Sequence, residues 1–90
     1  MVQYQRSLLE YMDTRARKGQ YIHRPTKLKK KLGFTEYLWI VLSKLVDKEK
    51  VGKCEARDGL KGSYYYLIDY EKKAKEEMLR KGLIDEEMLR

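Results

Sequence analysis

Apolar residues recur every three or four positions at the start of the chain, and this spacing predicts an amphipathic helix from Val2 to Lys18. Gly19 follows two basic residues, which is a common way for a helix to end. The next segment, residues 20–24, is short and partly apolar and stops at Pro25, so we expect it to form a single edge strand.

Pro25 suits the first turn of a second helix, because the N–H that proline lacks has no intrahelical partner there. This helix has room for only two turns before Gly33, which predicts a tight turn. Leu28 and Leu32 lie four residues apart and are expected to face inward. The four lysines of the segment then surround the outside: Lys27, Lys29, Lys30 and Lys31.

A third helix is predicted over residues 36–50, with the hydroxyl of Thr35 as its N-cap. One stripe of this helix is apolar and is expected to be buried: Leu38, Val41, Leu42 and Leu45, flanked by Trp39 and Val46. The opposite stripe is expected to face outward: Glu36, Tyr37, Ile40, Ser43, Lys44 and Asp47. Most of that outward stripe is polar, so Tyr37 and Ile40 are its unusual members.

Two strand-like runs joined by the sequence DGLKG predict a β-hairpin over residues 51–69. Because side chains alternate along a strand, Tyr65 lies on one face and Tyr64 and Tyr66 lie on the other. We expect one set to line the core beneath the third helix and the other to cover the hairpin or a neighbouring subunit.

Asp69 is predicted to cap a last helix, which ends at Gly82. The apolar residues of the tail, 83–90, pack either on the core of the same chain or on a second subunit. The order of helices and strands predicts an α+β fold in a single domain, residues 1–90.

A domain of this size has a thin core, which is often supplemented by disulfides, metals or a partner subunit. Cys54 and His23 are the only cysteine and histidine, so we expect neither an intrachain disulfide nor a zinc site. We therefore expect a homodimer, formed through the first and C-terminal helices. We interpret Cys54 as a small buried strand residue, and His23 as a surface residue or a hydrogen-bond partner.

The formal net charge is +7, and the excess of positive charge lies entirely in the first third of the chain, which contains nine basic and two acidic residues. The rest of the chain is balanced. A concentration of one sign indicates a polyanionic partner, and nucleic acid in particular.

Other classes of protein are not indicated. The sequence has no Ser-His-Asp or Cys-His spacing, no glycine-rich phosphate loop and no metal motif, so we expect neither catalysis nor a cofactor. There is no apolar run of the roughly 20 residues that span a bilayer and no signal-peptide layout, so we expect a soluble, cytoplasmic protein. The 39% of charged residues and the absence of Asn are typical of thermophile proteins.

The order helix, short strand, short helix, tight turn, longer helix, hairpin, helix resembles the winged helix-turn-helix superfamily over nearly the whole chain. The segments TKLKKKLGFTEYLWIVLSKLVDKEKV and RDGLKGSYYYLIDYEKKA carry this resemblance. Within them, LSKLVDKEKV resembles the end of the recognition helix of MarR-, ArsR- and PadR-like regulators, and YYYLIDYEKK resembles a strand-to-helix segment of PadR-like proteins. Glu49 and Lys50 stand where the superfamily often has Gly. Small winged-helix proteins of this kind also occur in thermophilic archaea and in their viruses and plasmids.

The resemblance implies double-stranded DNA binding by a transcriptional regulator, with a helix-turn-helix over about 25–50, a wing over about 51–68 and a helical tail over 69–90. It places the third helix in the major groove. The implied contacts to base edges and flanking phosphates are Thr35, Tyr37, Ile40, Ser43 and Lys44. The implied phosphate contacts are Arg24, Lys27 and Lys30, then Lys29 and Lys31, with Arg57 and Lys61 at the wing.

Two alternatives stay open at this point. The third helix could pack on a partner protein, which Tyr37, Ile40 and the apolar tail would suit. The tyrosines at 64–66 could stack on the bases of RNA or single-stranded DNA, which requires them to be exposed on an open sheet.

Overall fold

A computed structural model describes residues 2–33, 36–56 and 62–84 of the chain. Within these residues the α-helices are α1 (Val2–Arg17), α2 (Pro25–Leu32), α3 (Leu38–Asp47) and α4 (Glu71–Arg80). The strands β1 (Val51–Glu55) and β2 (Ser63–Leu67) pair antiparallel, and a 3₁₀ turn (Ile68–Tyr70) connects β2 to α4. The predicted α+β class is confirmed.

The first half of the chain follows the predicted order of elements, except that the predicted edge strand is reduced to a single β-bridge. Pro25 occupies the first turn of α2, and Gly33 ends that helix with φ 76°, donating its N–H to the Lys29 carbonyl at 3.1 Å. The expected edge strand at residues 20–24 is a single bridge, in which His23 and Tyr65 exchange backbone hydrogen bonds of 2.9 and 2.8 Å. One bridge is enough to fasten the segment before α2 to the hairpin.

Helix α3 is shorter than the predicted 36–50. It begins at Leu38, and the N-cap position is held by Tyr37, which makes no side-chain capping bond. Thr35, the predicted cap, lies outside the described residues. The predicted inward stripe is confirmed, because all four of its members are almost completely buried: Leu38, Val41, Leu42 and Leu45.

The main core lies under α3. Leu8 and Met12 of α1, Leu28 of α2, Val51 of β1 and Tyr65 of β2 close around the inward stripe of α3. Three helices and one face of the hairpin therefore share a single apolar centre, which fixes α2 and α3 relative to each other.

A second cluster occupies the other face of the hairpin. Tyr64 and Tyr66 pack there against Ala74 and Met78 of α4 and against Ile84 beyond it. The covering element is thus α4 of the same chain, and not the hairpin itself or a neighbouring subunit. All three adjacent tyrosines are at least nine-tenths buried, with exposed fractions of 4–9%. The exposure that base stacking by these tyrosines requires is absent.

The start of α4 differs from the prediction. Asp69 lies exposed in the 3₁₀ turn, and Tyr70 holds the N-cap position of α4 without a side-chain hydrogen bond. The chain enters α4 through this turn, and the Asp69 carboxylate does not cap the helix. Gly82 ends the helix as predicted, and the described part of the tail packs on its own chain through Ile84, which is 2% exposed. Residues 85–90 lie outside the described residues.

The end of α3 retains a regular helix stop without the glycine that the superfamily often has. Glu49 takes the left-handed conformation, with φ 58°, and donates its N–H to the Val46 carbonyl at 3.0 Å. Lys50 donates to the Leu45 carbonyl at 3.0 Å. These two bonds form the pattern in which glycine is the usual left-handed residue. Glu49 therefore performs the role of the glycine at the cost of a strained backbone.

Replacing Glu49 by Gly is expected to raise the free energy of unfolding by about 0.5–1 kcal/mol, because the strain disappears while the unfolded chain gains some freedom. Urea denaturation measures this change. Glu49→Ala is the matched control, since it removes the carboxylate and keeps the Cβ atom. If Glu49→Ala stabilises the protein as much as Glu49→Gly does, the charge is responsible and the backbone is not.

Among the described residues, no helix has both the length and the apolar character needed to cross a bilayer.

Candidate functional site

The outward side of α3 forms an exposed surface, here called the α3 face: Tyr37, Trp39, Ile40, Ser43 and Lys44. Tyr37, Trp39 and Ile40 are exposed by 42%, 52% and 45%, and they are the exposed large hydrophobic residues of the described part of the chain. Three large apolar side chains in four consecutive positions are costly to leave in water, which makes this face a candidate binding surface.

Two aromatic contacts brace the α3 face. The Tyr37 ring stacks on the Tyr4 ring of α1, with centroids 5.4 Å apart and planes inclined by 13°. The Nζ of Lys29 in α2 lies 5.6 Å from the centroid of the Trp39 ring. Trp39 was expected to flank the buried stripe. It does lie at the edge of that stripe, in the first turn of α3, but it is exposed, and its ring meets the Lys29 ammonium group outside the core.

The lysines of α2 lie on different sides of the helix. Lys29 is half-buried and faces α3, where it meets Trp39. Lys27, Lys30 and Lys31 are exposed and line a cleft toward α1 and α4. The structure therefore joins Lys29 directly to the α3 face, while the other three lysines line the cleft.

Arg24 precedes α2 at its N-cap position and is exposed, with its guanidinium carbon 5.6 Å from the centroid of the Tyr64 ring. It thus connects the start of α2 to the hairpin. Three other predicted site residues lie outside the described residues: Thr35, Arg57 and Lys61.

The lysines of α2 form no ion pair with an acid among the described residues. In the described ranges 2–33, 36–56 and 62–84, the ion pairs are Arg17 with Asp13 at 3.1 Å and Lys75 with Glu71 at 2.7 Å, each within one helix. Neither pair involves a lysine of α2. Unpaired charge of one sign next to an apolar face creates a positive potential that attracts anions.

The cleft beside α2, here called the basic cleft, has a volume of about 570 Å³ and lies between α1, residues 20–23, α2 and α4. Arg15 lines it and is held in place, since its Nε donates to the Tyr11 hydroxyl at 3.3 Å and its Nη1 donates to Gln20 Oε1 at 3.1 Å. The cleft was not predicted, because it forms only where four separate segments meet.

His23 also lines the basic cleft, and it is only 8% exposed, so its interpretation as a surface residue is wrong. Its ring lies against the Tyr11 ring, with centroids 5.9 Å apart. Burial, helped by the nearby positive charge of Arg15, lowers the pKa of His23 from its ordinary value of 6.5 to about 4. The imidazole is therefore neutral at physiological pH.

Cys54 is half-buried on β1 rather than fully buried, and it packs against the second cluster, which includes Tyr64 and Tyr66 of β2 and Ala74 and Met78 of α4. Burial raises the pKa of its thiol, which lowers its reactivity at neutral pH.

Sequence reasoning missed Trp39 and Arg15 as surface residues of interest. For Trp39 the signal was present, since a residue in the first turn at the edge of an apolar stripe has little chain above it to cover it. Arg15 stands four residues after Tyr11, a spacing that brings the two side chains together on one helix face.

Comparison of the chain with protein-family models, with curated proteins and with solved structures gives no match in any of the three.

Proposed function

We propose that the chain binds double-stranded DNA as a winged helix-turn-helix protein and regulates transcription. The order of elements supports this proposal, since α2 and α3 are followed by the antiparallel strands β1 and β2 and then by α4. In proteins of this kind the second helix of the motif enters the major groove while the first crosses the backbone.

The contact between Lys29 and Trp39 is the observation that carries the proposal, because it joins the basic helix to the exposed face of its successor. A duplex lying on the α3 face would meet base-reading side chains and phosphate-binding cations at the same time. Ile40 suits a thymine methyl group, and Ser43 suits either a donor or an acceptor. Arg24, Lys27 and Lys30 would hold phosphates, which position the protein without reading sequence.

The proposal predicts a steep dependence of duplex binding on salt. The logarithm of the affinity should fall against the logarithm of the salt concentration with a slope near −0.9 for each phosphate neutralised. Lys27→Ala/Lys30→Ala should weaken binding to all duplexes alike and make the slope shallower by about 2. Fluorescence anisotropy with a mixed-sequence duplex, between about 50 and 200 mM salt, measures both quantities.

The matched control is Lys72→Ala/Arg80→Ala, which removes two exposed charges from α4 and should leave the slope nearly unchanged. An affinity indifferent to salt would refute the electrostatic part of the proposal. Equal effects of the two double variants would show that net charge, and not α2, attracts the duplex.

The second candidate function is docking of a partner protein on the α3 face, and the exposure of Trp39, the most exposed of its three large apolar residues, favours it. Aromatic side chains are enriched at protein interfaces, where they often supply much of the binding energy. A pull-down with and without nuclease separates the candidates, because a DNA-mediated complex disappears on nuclease treatment. Trp39→Ala should abolish a nuclease-resistant complex if the second candidate is right.

A homodimer remains part of the proposal. Much of the apolar surface that suggested it lies in the chain's own clusters, including Leu8 and Met12 of α1 and Met78 of α4. The partly buried residues that could still face a second copy are Leu9, Leu79 and Leu83. Light scattering at several protein concentrations tests the dimer.

A further inference from the structure

The basic cleft has the size of a small-molecule site. Its volume of about 570 Å³ falls inside the range of roughly 300–1,000 Å³ that is usual for ligand pockets. Its walls come from the continuous stretch 11–31, which includes α1, residues 20–23 and α2, and from the distant α4, so its shape depends on how α4 packs against the first third of the chain.

Cations dominate the lining of the cleft. Arg15, Lys27, Lys30, Lys31 and Lys81 contribute five positive side chains, against the single carboxyl group of Glu77. Arg15 is already oriented by its hydrogen bonds to Tyr11 and Gln20. A fixed guanidinium group surrounded by mobile ammonium groups suits a phosphate, which accepts several charge-assisted hydrogen bonds at once.

Glu77 is the unusual group of the cleft. It is only 6% exposed, and within the described residues nothing donates a hydrogen bond to its buried Oε2 atom. Buried polar atoms are almost always hydrogen-bonded, so an unpaired acceptor beside a cavity indicates a donor that enters from outside. The lysines of the cleft do not supply it, since no ion pair of the described chain includes Glu77.

The remaining lining offers aromatic and apolar surface. The rings of Tyr11 and His23 lie together in the wall, beside Ile22 and Leu28. His23 adds a neutral ring rather than a sixth cation, because its pKa is lowered to about 4. A ligand that fits this lining combines a planar ring, a hydrogen-bond donor on that ring and an anionic group.

We propose that the basic cleft binds a nucleoside phosphate, with the phosphate on the cations around Arg15 and an N–H group of the base donating to Glu77. The planar base would pack against the half-buried Tyr11 ring, next to the His23 ring, whose plane is inclined to it by 58°. Lys27 and Lys30 take part in both proposals, but Tyr11, His23 and Glu77 belong to the cleft alone, so recognition of a base can be tested separately from duplex binding.

Titration of the full chain with AMP, GMP, CMP and UMP, with the four matching nucleosides and with inorganic phosphate, followed by calorimetry at constant salt, tests the proposal. We expect at least one nucleotide to bind with Kd below about 1 mM, and at least about tenfold more tightly than both inorganic phosphate and the matching nucleoside. If none of the four binds at that concentration, or if phosphate alone binds as tightly, the proposal is wrong and the cleft attracts anions without recognising a base.

Variants locate the site. Glu77→Met keeps the buried volume and removes the hydrogen-bond acceptor. It should therefore lower the affinity for the nucleotide about tenfold and leave the affinity for phosphate unchanged. Lys81→Ala should lower the affinity for both the nucleotide and phosphate. The control Lys72→Ala, on the outer side of α4, should change neither affinity. On the unaltered chain, an analogue of the same nucleotide whose base lacks the N–H donor should lose a similar factor. A nucleotide affinity that is unaffected by Glu77→Met and by loss of the donor overturns the assigned recognition.

Discussion

Gly52→Ala is expected to lower the free energy of unfolding by about 2–3 kcal/mol, a large effect for the addition of one methyl group to a strand. Gly52 pairs with Tyr66 across the hairpin, and the Tyr66 ring lies directly over the glycine. A Cβ atom at position 52 would overlap the Cε2 and Cζ atoms of that ring. The ring has little room to move away, because Tyr66 is 5% exposed and is packed beneath α4. Urea denaturation measures the loss.

A double-mutant cycle separates crowding from other causes. Tyr66→Leu shortens the side chain that covers position 52, so Gly52→Ala combined with Tyr66→Leu should cost less than the sum of the two single changes, by about 1 kcal/mol or more. Gly33→Ala is the control for backbone strain, because Gly33 has φ 76° and no atom within 4 Å of an added Cβ. It should cost about 1–2 kcal/mol, and Tyr66→Leu should not relieve that cost. Additive costs in the Gly52 cycle would show that the ring does not obstruct the substitution.

The elements that could be predicted from the sequence are those that depend on local spacing. The inward stripe of α3 follows from residues three and four apart, and the end of α2 follows from Gly33. The alternation of the tyrosines separated Tyr65 from Tyr64 and Tyr66, and the two sets do lie in different clusters, but alternation did not tell which set lines the main core. Alternation alone could not predict which element covers Tyr64 and Tyr66, because α4 and another subunit would bury them equally well.

Burial of single polar residues was harder to predict because it depends on the path of distant segments. Nothing near His23 marks it as buried, and its burial follows from its bridge to Tyr65 and from the packing of α1. Glu77 gave a weak signal, since it stands three residues after the buried Ala74 and so shares its face of α4. The charge of a glutamate, however, favours an exposed position, so the sequence did not predict that Glu77 is buried.

The candidate site shows the same division between local and tertiary information. A cluster of lysines around Leu28 was evident from the sequence, and so was the outward position of Ile40. The separation of Lys29 from Lys27, Lys30 and Lys31 depends on where α3 and α4 lie against α2, which the sequence does not state. The lysines that form one cluster in the sequence therefore belong to two different surfaces. Lys29 lies at the α3 face, and Lys27, Lys30 and Lys31 line the basic cleft.

Acidification from about pH 7.5 to about pH 5 is expected to remove about 2 kcal/mol of stability through His23 alone. The unfolded chain takes up a proton near the ordinary pKa of 6.5, whereas the folded chain does so only near pH 4. Between these values the unfolded state binds more protons, so the free energy of unfolding falls as the pH falls through this window. Above about pH 7.5 His23 contributes almost no pH dependence, and below about pH 4 the total loss levels off near 3 kcal/mol.

Because the chain has a single histidine, the effect can be assigned without ambiguity. His23→Gln keeps the backbone bridge to Tyr65 and removes the titrating group, so the variant should lack the loss between about pH 7.5 and about pH 5 while sharing the acid unfolding caused by the carboxylates at lower pH. An NMR titration of the imidazole should give a midpoint near 4 in the folded protein. Parallel stability curves for the two proteins, or a midpoint near 6.5, would mean that the ring is solvated and charges freely. In that case the cleft would carry an additional cation at mildly acidic pH, and its wall could no longer be treated as a neutral aromatic surface.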